Sequence, residues 1–274
     1  MIACVAFLAL VIGAGAMTLH GCGDDGGAPS ATPTPAPLGA LAGTYDVSGV
    51  ASTGRGGVDE PIGVVGEEHD GVVGIRIDID TLDAIVVTAA PAADGSLALD
   101  GDRILGVDAF LSTTGTAALV ADAGERRIAG TLTDTGGSDP SVSFVMVRPA
   151  AGTPTTFSGS YVFSFDPSPS GCGCASTATL SLAVTSDGGG VLEPGTDADH
   201  SGAVVGAFSD GTCAVSPRGR VRCVARYQPA GTTADGVSTS IVLQGALGTT
   251  VTGGDFLRGS PPAFFRTGRW SATR

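Results

Sequence analysis

The sequence lacks lysine, since all 14 basic residues among its 274 are arginines. This absence excludes a lysine nucleophile and a Schiff-base lysine. The formal net charge of −13 argues against a nucleic-acid partner, because phosphate binding requires a basic surface. Helical apolar spacing is missing after the N-terminal apolar run, so the pattern excludes a mainly helical fold.

Catalytic and metal-binding motifs are scarce as well. The chain contains neither Gly-x-Ser-x-Gly nor His-Glu-x-x-His. His69 and His200 lie in polar segments typical of solvated turns. The segment Asp78–Asp83 begins like a calcium loop but lacks its Gly and distal Glu, and we interpret its acids as a solvated strand face. We predict no catalytic residue, metal site or cofactor, and a protein that is not an enzyme.

One long apolar run occurs, from Ile2 to Met17, and Leu19-His20-Gly21-Cys22 follows it. The run has the length of a signal-peptide core and is short for a transmembrane helix. The four residues resemble the lipobox of bacterial lipoproteins. This resemblance implies that residues 1–21 are a signal peptide and that Cys22 becomes an acylated N-terminus on a membrane of the cell envelope. Gly23 favours the outer membrane over the inner one.

A tether follows the predicted acylation site. Residues 22–40 combine Cys22 with a segment rich in Pro and Gly, and no large apolar residue occurs there before Leu38. Such a composition cannot form a core, and its prolines favour an extended chain. We therefore expect a spacer that lifts a folded body off the bilayer.

Alternating apolar and polar residues predict β-strands in the rest of the chain. Ile75, Ile77 and Ile79 share one strand face, and the residues Tyr161, Phe163 and Phe165 share another. Turn signals such as Asp-Gly separate these runs at intervals of roughly 8–12 residues, which is typical of barrels and sandwiches. We predict an all-β fold.

A weak internal repeat divides the chain into two halves. Leu41–Val47 matches Phe157–Phe163, and each half closes on a strand that ends in arginine. The repeat predicts β-domains over residues 41–149 and 157–274. The first holds 17 acidic residues and 6 arginines, whereas the second, which contains cysteines, holds 8 of each. The two halves therefore present different surfaces.

The ends of each half resemble the lipocalin-like, or calycin, barrels. The matching residues are Gly43, Tyr45 and Arg148 in the first half and Gly159, Tyr161 and Arg274 in the second. The resemblance implies that the aromatic residue of the first strand packs under the arginine of the last. It also implies up-and-down barrels closed by pairing of the first and last strands, which removes free sheet edges. We predict two tandem antiparallel barrels, with β-sandwiches as the alternative.

Four cysteines follow Cys22, and all lie in the second half: Cys172, Cys174, Cys213 and Cys223. Export favours disulfides, because the compartment is oxidising. A hairpin centred on residue 218 would place Cys213 opposite Cys223, which leaves Cys172 to pair with Cys174. Two bridges from the Cys172 segment to the hairpin are the alternative. A zinc site is disfavoured, because paired Cys-x-x-Cys spacing is missing.

Four arginines near Cys223 form what we call the arginine stripe. Arg218, Arg220, Arg222 and Arg226 lie on one strand face. We interpret the stripe as an exposed face that balances nearby acids. The alternative is a site for an anionic glycan or lipid headgroup.

Taken with the leader, these patterns predict a lipid-anchored, non-catalytic module that binds a small hydrophobic ligand, a glycan or a protein partner. The alternatives are a purely structural envelope lipoprotein and a hydrolase. A cavity lined by Tyr161, Phe163, Phe165 and Trp270 would indicate ligand binding. A barrel packed solid with side chains would instead indicate a structural role.

Overall fold

A computed structural model describes residues 37–50, 60–105, 109–122, 125–137, 141–150, 152–166, 175–231, 239–248, 253–260 and 263–274. These ranges contain seventeen strands and two short 3₁₀-helices, at Leu38–Leu41 and Pro154–Phe157. Within them no helix has the length and apolarity needed to cross a membrane. The predicted lipobox, Cys22 and most of the tether lie outside the described residues, as do Cys172 and Cys174.

The first eight strands form a closed antiparallel barrel in which each strand pairs with the next along the chain. They are β1 (Gly43–Ser48), β2 (Ile62–Val65), β3 (Val73–Asp78), β4 (Ala84–Pro91), β5 (Leu97–Leu105), β6 (Ala109–Asp122), β7 (Glu125–Asp134) and β8 (Val142–Pro149). Pairing of β8 with β1, with Val147 opposite Asp46, closes the barrel. The alternation that predicts these strands also fills the interior, since Ile75, Ile77 and Ile79 are buried there.

The second barrel has the same plan with one interrupted strand. Its strands are β9 (Gly159–Asp166), β10 (Ser176–Val184), β11 (Gly189–Leu192), β12 (Gly195–Asp199), β13 (Val204–Val215), β14 (Arg220–Pro229), β15 (Thr239–Ala246), β16 (Gly253–Ser260) and β17 (Ala263–Thr273). Both β11 and β12 lie between β10 and β13, so together they occupy one strand position. Pro194 lies at the break, where it has no N–H to donate to a neighbour.

Pairing of β17 with β9 closes this second eight-stranded barrel. The prediction of an all-β protein with two tandem antiparallel barrels is therefore confirmed, and the sandwich alternative is wrong. Closure leaves each barrel without a free edge strand.

Aromatic side chains fill the interior of the second barrel. Phe163 packs between Phe165 and Trp270, with ring centroids 6.1 and 5.5 Å away, and Phe165 meets Phe256 edge-on at 5.5 Å. Tyr161 lies 6.1 Å from Phe163. Tyr161, Phe163, Phe165 and Trp270 therefore pack against one another, which is the arrangement that would indicate a structural role.

The two halves repeat one closing arrangement. Each 3₁₀-helix ends just before a first strand whose tyrosine donates back to it, Tyr45 to the Leu41 carbonyl at 2.5 Å and Tyr161 to the Phe157 carbonyl at 2.7 Å. The last-strand arginine donates to the same turn, from Arg148 to the Ala42 carbonyl at 2.9 Å and from Arg274 to the Thr156 carbonyl at 3.1 Å.

Glycine is required at position 43, where the Arg148 side chain lies against β1. A Cβ atom at Gly43 would lie 1.5 Å from Nη1 of Arg148, and the backbone there has a φ of +129°. In the second half the Arg274 guanidinium lies 5.9 Å from the centre of the Tyr161 ring. Of the residues that carry the calycin resemblance, Gly43 therefore lies against Arg148 in the first barrel, and Gly159 and Tyr161 lie against Arg274 in the second.

Candidate functional site

The two barrels pack against each other within one compact unit, Pro35–Arg274, through strand faces that point away from both barrel interiors. Strand β2 packs on β13 and β14. Ile62 on β2 and Ala84 on β4 are buried although they alternate with the interior residues of the first barrel, and Val242 is the counterpart in the second. The outer faces of these strands are therefore covered by the other barrel.

Hydrogen bonds join the first strand of one barrel to the β13–β14 hairpin and to the β10–β11 turn of the other. The Thr44 hydroxyl donates to the Val215 carbonyl at 2.6 Å, and the Thr44 N–H donates to the Asp187 carbonyl at 2.9 Å. The Ser216 hydroxyl donates to Oδ1 of Asp46 at 2.6 Å. Because all but Asp187 are buried, each bond replaces one that water would otherwise make.

Burial governs the ionisation of Asp46. It raises the pKa of this carboxyl, and the Ser216 hydroxyl and the Arg220 and Arg218 guanidinium groups only partly offset the rise. The second carboxyl oxygen, Oδ2, has no hydrogen-bond partner among the described residues. Asp46 is thus a poorly solvated charge in the seam between the barrels.

Arg220 and Arg222 of the arginine stripe lie in the same seam, which corrects the interpretation of these two residues as part of an exposed face. Nε of Arg220 lies 3.1 Å from Oε2 of Glu60, and the Arg220 guanidinium also donates to the Val47 and Pro61 carbonyls. Arg218 remains largely exposed, with its Nε 3.7 Å from Oδ2 of Asp46. The acidic first barrel and the arginines of the second are therefore complementary surfaces.

The last residue of the stripe lies beyond the seam. Arg226 is exposed on the outer face of β14, opposite Ser240 of β15. For this residue the predicted exposed position is confirmed.

A second correction concerns Asp78, which the alternation assigns to a solvated strand face. Asp78 is only 2% exposed, because Arg222 of the second barrel lies over it with Nε 2.9 Å from Oδ1. Arg76 of the same strand donates to the carboxylate from the other side. Its Nε lies 2.9 and 3.0 Å from the two carboxylate oxygens, and its Nη2 lies 2.7 Å from Oδ1. Two arginines therefore share one buried carboxylate.

The two arginines differ in how well Asp78 compensates them. The hydrogen bond with Asp78 raises the pKa of Arg76. Burial lowers the pKa of Arg222, and the attraction of Asp78 does not restore it. Nε of Arg222 also lies beside Oδ1 without the alignment of a hydrogen bond. Of the two arginines, Arg222 therefore has the more poorly compensated charge.

Beside this ion triad of Arg76, Asp78 and Arg222, an open cleft of about 800 Å³ lies between the walls of the two barrels. Val64, Arg76 and Val86 line the first wall, while Arg222, Val224 and Val242 line the second. The strand registers set these residues in matching rows, with Arg76 beside Val64 and Val86, and Val224 beside Val242. Gln244, the cross-strand partner of Arg222, donates to the Asp78 carbonyl at 3.1 Å. The cleft thus has valine walls and a charged apex.

His69, His200 and Asp80, the other polar residues considered as possible ligands in the sequence, lie in turns. His69 lies between β2 and β3, with Nε2 3.3 Å from Oδ2 of Asp70, and both side chains are exposed. His200 is exposed in the turn after β12. Asp80 accepts the backbone N–H groups of Leu82 and Asp83 at 2.7 Å, which closes a turn rather than a calcium loop. Among the described residues no group of three potential metal ligands occurs.

The predicted hairpin disulfide between Cys213 and Cys223 is confirmed. The two residues are directly paired in the β13–β14 register, with Cα atoms 4.0 Å apart. Cys172 and Cys174 lie outside the described residues, so their predicted pairing stays a prediction, as does acylation of Cys22.

Comparison with known proteins identifies no family. No family model matches the chain. No curated protein matches it either. Among solved structures, a crystal structure of a protein of unknown function from the DUF3598 family of Nostoc punctiforme is similar over 88% of this chain and 98% of that one, at 9% identity and a TM-score of 0.23. A likeness of this strength carries no inference about function.

Proposed function

We propose that the protein is a non-catalytic binding protein of the bacterial cell envelope that takes a small ligand with an apolar body in the cleft between its barrels. The observation that carries the proposal is the cleft itself, at about 800 Å³. Small-molecule pockets typically measure about 300–1,000 Å³ and combine apolar walls with a few placed polar groups. The valine walls and the ion triad have this composition.

The choice of the cleft over the barrel interior follows from packing. In the second barrel the centroids of neighbouring aromatic rings lie 5.1–6.1 Å apart, so these rings fill the space between them with their own contacts. On the two cleft walls, by contrast, Val86 and Val224 are each 38% exposed. Apolar side chains exposed on facing concave walls gain most from a ligand, because binding removes both from water.

A binding role also suits the chemistry of the lining. Its titratable groups are Arg76, Arg222, Asp78 and Asp100. The two arginines are poor general bases, and Asp78 is held in ion pairs. Asp100 lies at the opposite end, on the exposed row of β5. These groups are suited to orienting a ligand rather than to transferring protons.

Envelope anchoring is the second part of the proposal, and the lipobox-like residues before Cys22 support it. Several acyl chains on one cysteine would hold the protein on a membrane, since each buried methylene adds about 0.8 kcal/mol. Residues 22–40 would then act as the spacer. Expression of the native gene with a fatty-acid probe tests this, and we expect label on the wild type and none on Cys22→Ser. Equal labelling, or wild-type protein in the soluble fraction, would contradict it.

Blocking the cleft tests the binding site. N-phenyl-1-naphthylamine is a neutral apolar probe whose fluorescence rises in apolar surroundings. We expect it to bind the wild type, and we expect Val224→Trp to weaken binding at least tenfold by filling the cleft. The matched control is Val162→Trp, because Val162 is similarly exposed on the second barrel but lies on β9, on the opposite side of that barrel from the cleft. Equal effects of the two substitutions would refute the cleft as the site.

A purely structural envelope protein is the second candidate, and the filled interior of the second barrel favours it. The two candidates differ in one outcome. A structural protein would bind the probe neither in wild-type form nor with Val162→Trp, whereas the proposed binding protein binds it in both.

A further inference from the structure

The apex of the cleft carries one positive charge more than its carboxylate neutralises. Arg76 and Arg222 both lie against Asp78, which engages Arg76 through three contacts of 2.7–3.0 Å. Arg222 has one contact, at 2.9 Å from Nε. Its side chain is only 13% exposed, so water compensates it poorly. A positive charge that neither a carboxylate nor water fully compensates favours the binding of an anion from outside the protein.

The donors of Arg222 are available to such an anion. A guanidinium carries five N–H donors, of which four are on Nη1 and Nη2. Across the described part of the chain, no acceptor is bonded to these two atoms. Arg222 itself lines the cleft, so its exposed part faces the cleft rather than bulk solvent. The geometry leaves a planar fork of donors at the bottom of an apolar cleft.

Other acids nearby do not occupy this fork. Asp80 attracts Arg222 through space, but its Oδ1 accepts two backbone N–H groups of its own turn. Asp100 lines the far end of the cleft, on the exposed row of β5. Glu60 pairs with Arg220 in the seam. None of these three carboxylates bonds to the Nη atoms of Arg222, so the arginine fork stays unfilled.

We propose that Arg222 binds the anionic group of an amphiphilic ligand, a carboxylate or a phosphate monoester, whose apolar body lies between Val86 and Val224. Carboxylates and phosphates match the guanidinium fork with two parallel hydrogen bonds. The valines lie on the outward side of Arg222 on both walls, so one ligand reaches both features. This inference rests on the proposed function, because it names the ligand class of the same cleft.

Displacement of N-phenyl-1-naphthylamine by matched ligands tests the proposal. The ligands are dodecanoate, dodecyl phosphate and dodecanol, which share one tail, and inorganic phosphate, which has none. We expect the wild type to bind the two anions about tenfold or more tightly than the alcohol, as charge-assisted hydrogen bonds allow. Inorganic phosphate alone should not displace the probe. If it does so as well as dodecyl phosphate, the site takes a free anion and the amphiphile is wrong.

Substitution of the arginine separates this inference from the proposed function. Arg222→Gln should bring the anions down to the affinity of dodecanol and leave dodecanol unchanged. Arg226→Gln is the matched control, since Arg226 is exposed on the same strand face outside the cleft lining. If Arg222→Gln does not fold, Arg222→Lys keeps the charge without the fork, and an intermediate preference for the anions is expected.

The outcomes are distinct. A wild type that binds dodecanol and dodecanoate equally overturns the anion site but leaves the cleft as a binding site. Equal losses in Arg222→Gln and Arg226→Gln also overturn it, because the effect is then one of net charge. A wild type that binds neither the fluorescent probe nor any tailed ligand contradicts the proposed function itself.

Discussion

Removing the charge of Asp78 should destabilise the whole two-barrel unit. Asp78→Asn keeps the shape of the side chain but leaves Arg76 and Arg222 without their counter-charge. Arg76 is 44% exposed and can regain water, whereas Arg222 is 13% exposed and cannot. Breaking a buried ion pair by removal of one partner costs about 3–5 kcal/mol. Since Arg76 recovers part of its solvation, we expect about 3 kcal/mol, the lower end of that range.

Urea unfolding provides the assay, with Trp270 as its reporter. Trp270 is the single tryptophan of the chain and is buried inside the second barrel, so its fluorescence follows that barrel alone. Circular dichroism follows both barrels. A loss of about 3 kcal/mol corresponds to a fall in melting temperature of about 6–12 °C for a unit of this size. Coincident transitions by both signals would show that the barrels unfold together.

Two controls make the test decisive. Asp102→Asn changes an exposed acid of the same barrel and should stay within about 0.5 kcal/mol of the wild type. In the Arg222→Gln background, Asp78→Asn should cost at least about 1 kcal/mol less, since the cation it strands is gone. An Asp78→Asn protein as stable as Asp102→Asn would refute the buried triad.

Three further predictions concern the seam, the closing turn and the hairpin. Burial raises the pKa of Asp46, so the contribution of this residue to stability is fullest at acidic pH and is lost as pH rises through the folded-state pKa. The unfolding free energy of the wild type relative to Asp46→Asn should therefore fall with rising pH. A rise would contradict the burial argument. Gly43→Ala should cost about 1–3 kcal/mol, against about 0.5 or less for Gly74→Ala, whose Cβ meets open space; equal melting temperatures would be the contrary result. Reduction of the Cys213–Cys223 bridge, which spans 10 residues, should lower stability by about 2–3 kcal/mol, and an unchanged melt would show the bridge to be incidental.

Sequence pattern predicted the barrel interiors because side-chain direction alternates along a strand. Ile75 and Ile77, like Phe163 and Phe165, lie inside as the alternation requires. The hairpin register followed from local spacing alone, since a turn centred on residue 218 sets Cys213 against Cys223. Features that depend on neighbours in sequence or on a period of two were therefore within reach of the sequence.

The sequence did not predict burial of the outer strand faces, because alternation indicates which residues point outward but not what covers them. Asp78 and Ile62 point outward and are nevertheless buried by the second barrel. Ser216 and Gln244, which bond across the seam, carry no local signature at all. The one signal was the uneven charge, an acidic first half beside an arginine stripe. That signal indicates complementary surfaces, but it does not specify which charges pair.

Ligand position in the cleft is tested most directly by valine methyl NMR with a spin-labelled fatty acid. The label broadens signals near it, so the bound chain marks its own place. We predict broadening of the Val86 and Val224 methyl signals, with Val162 unaffected, because Val162 is comparably exposed but lies on the opposite side of the second barrel from the cleft. Broadening of valines inside a barrel, or of Val162 as strongly as Val86 and Val224, would contradict binding between the barrels.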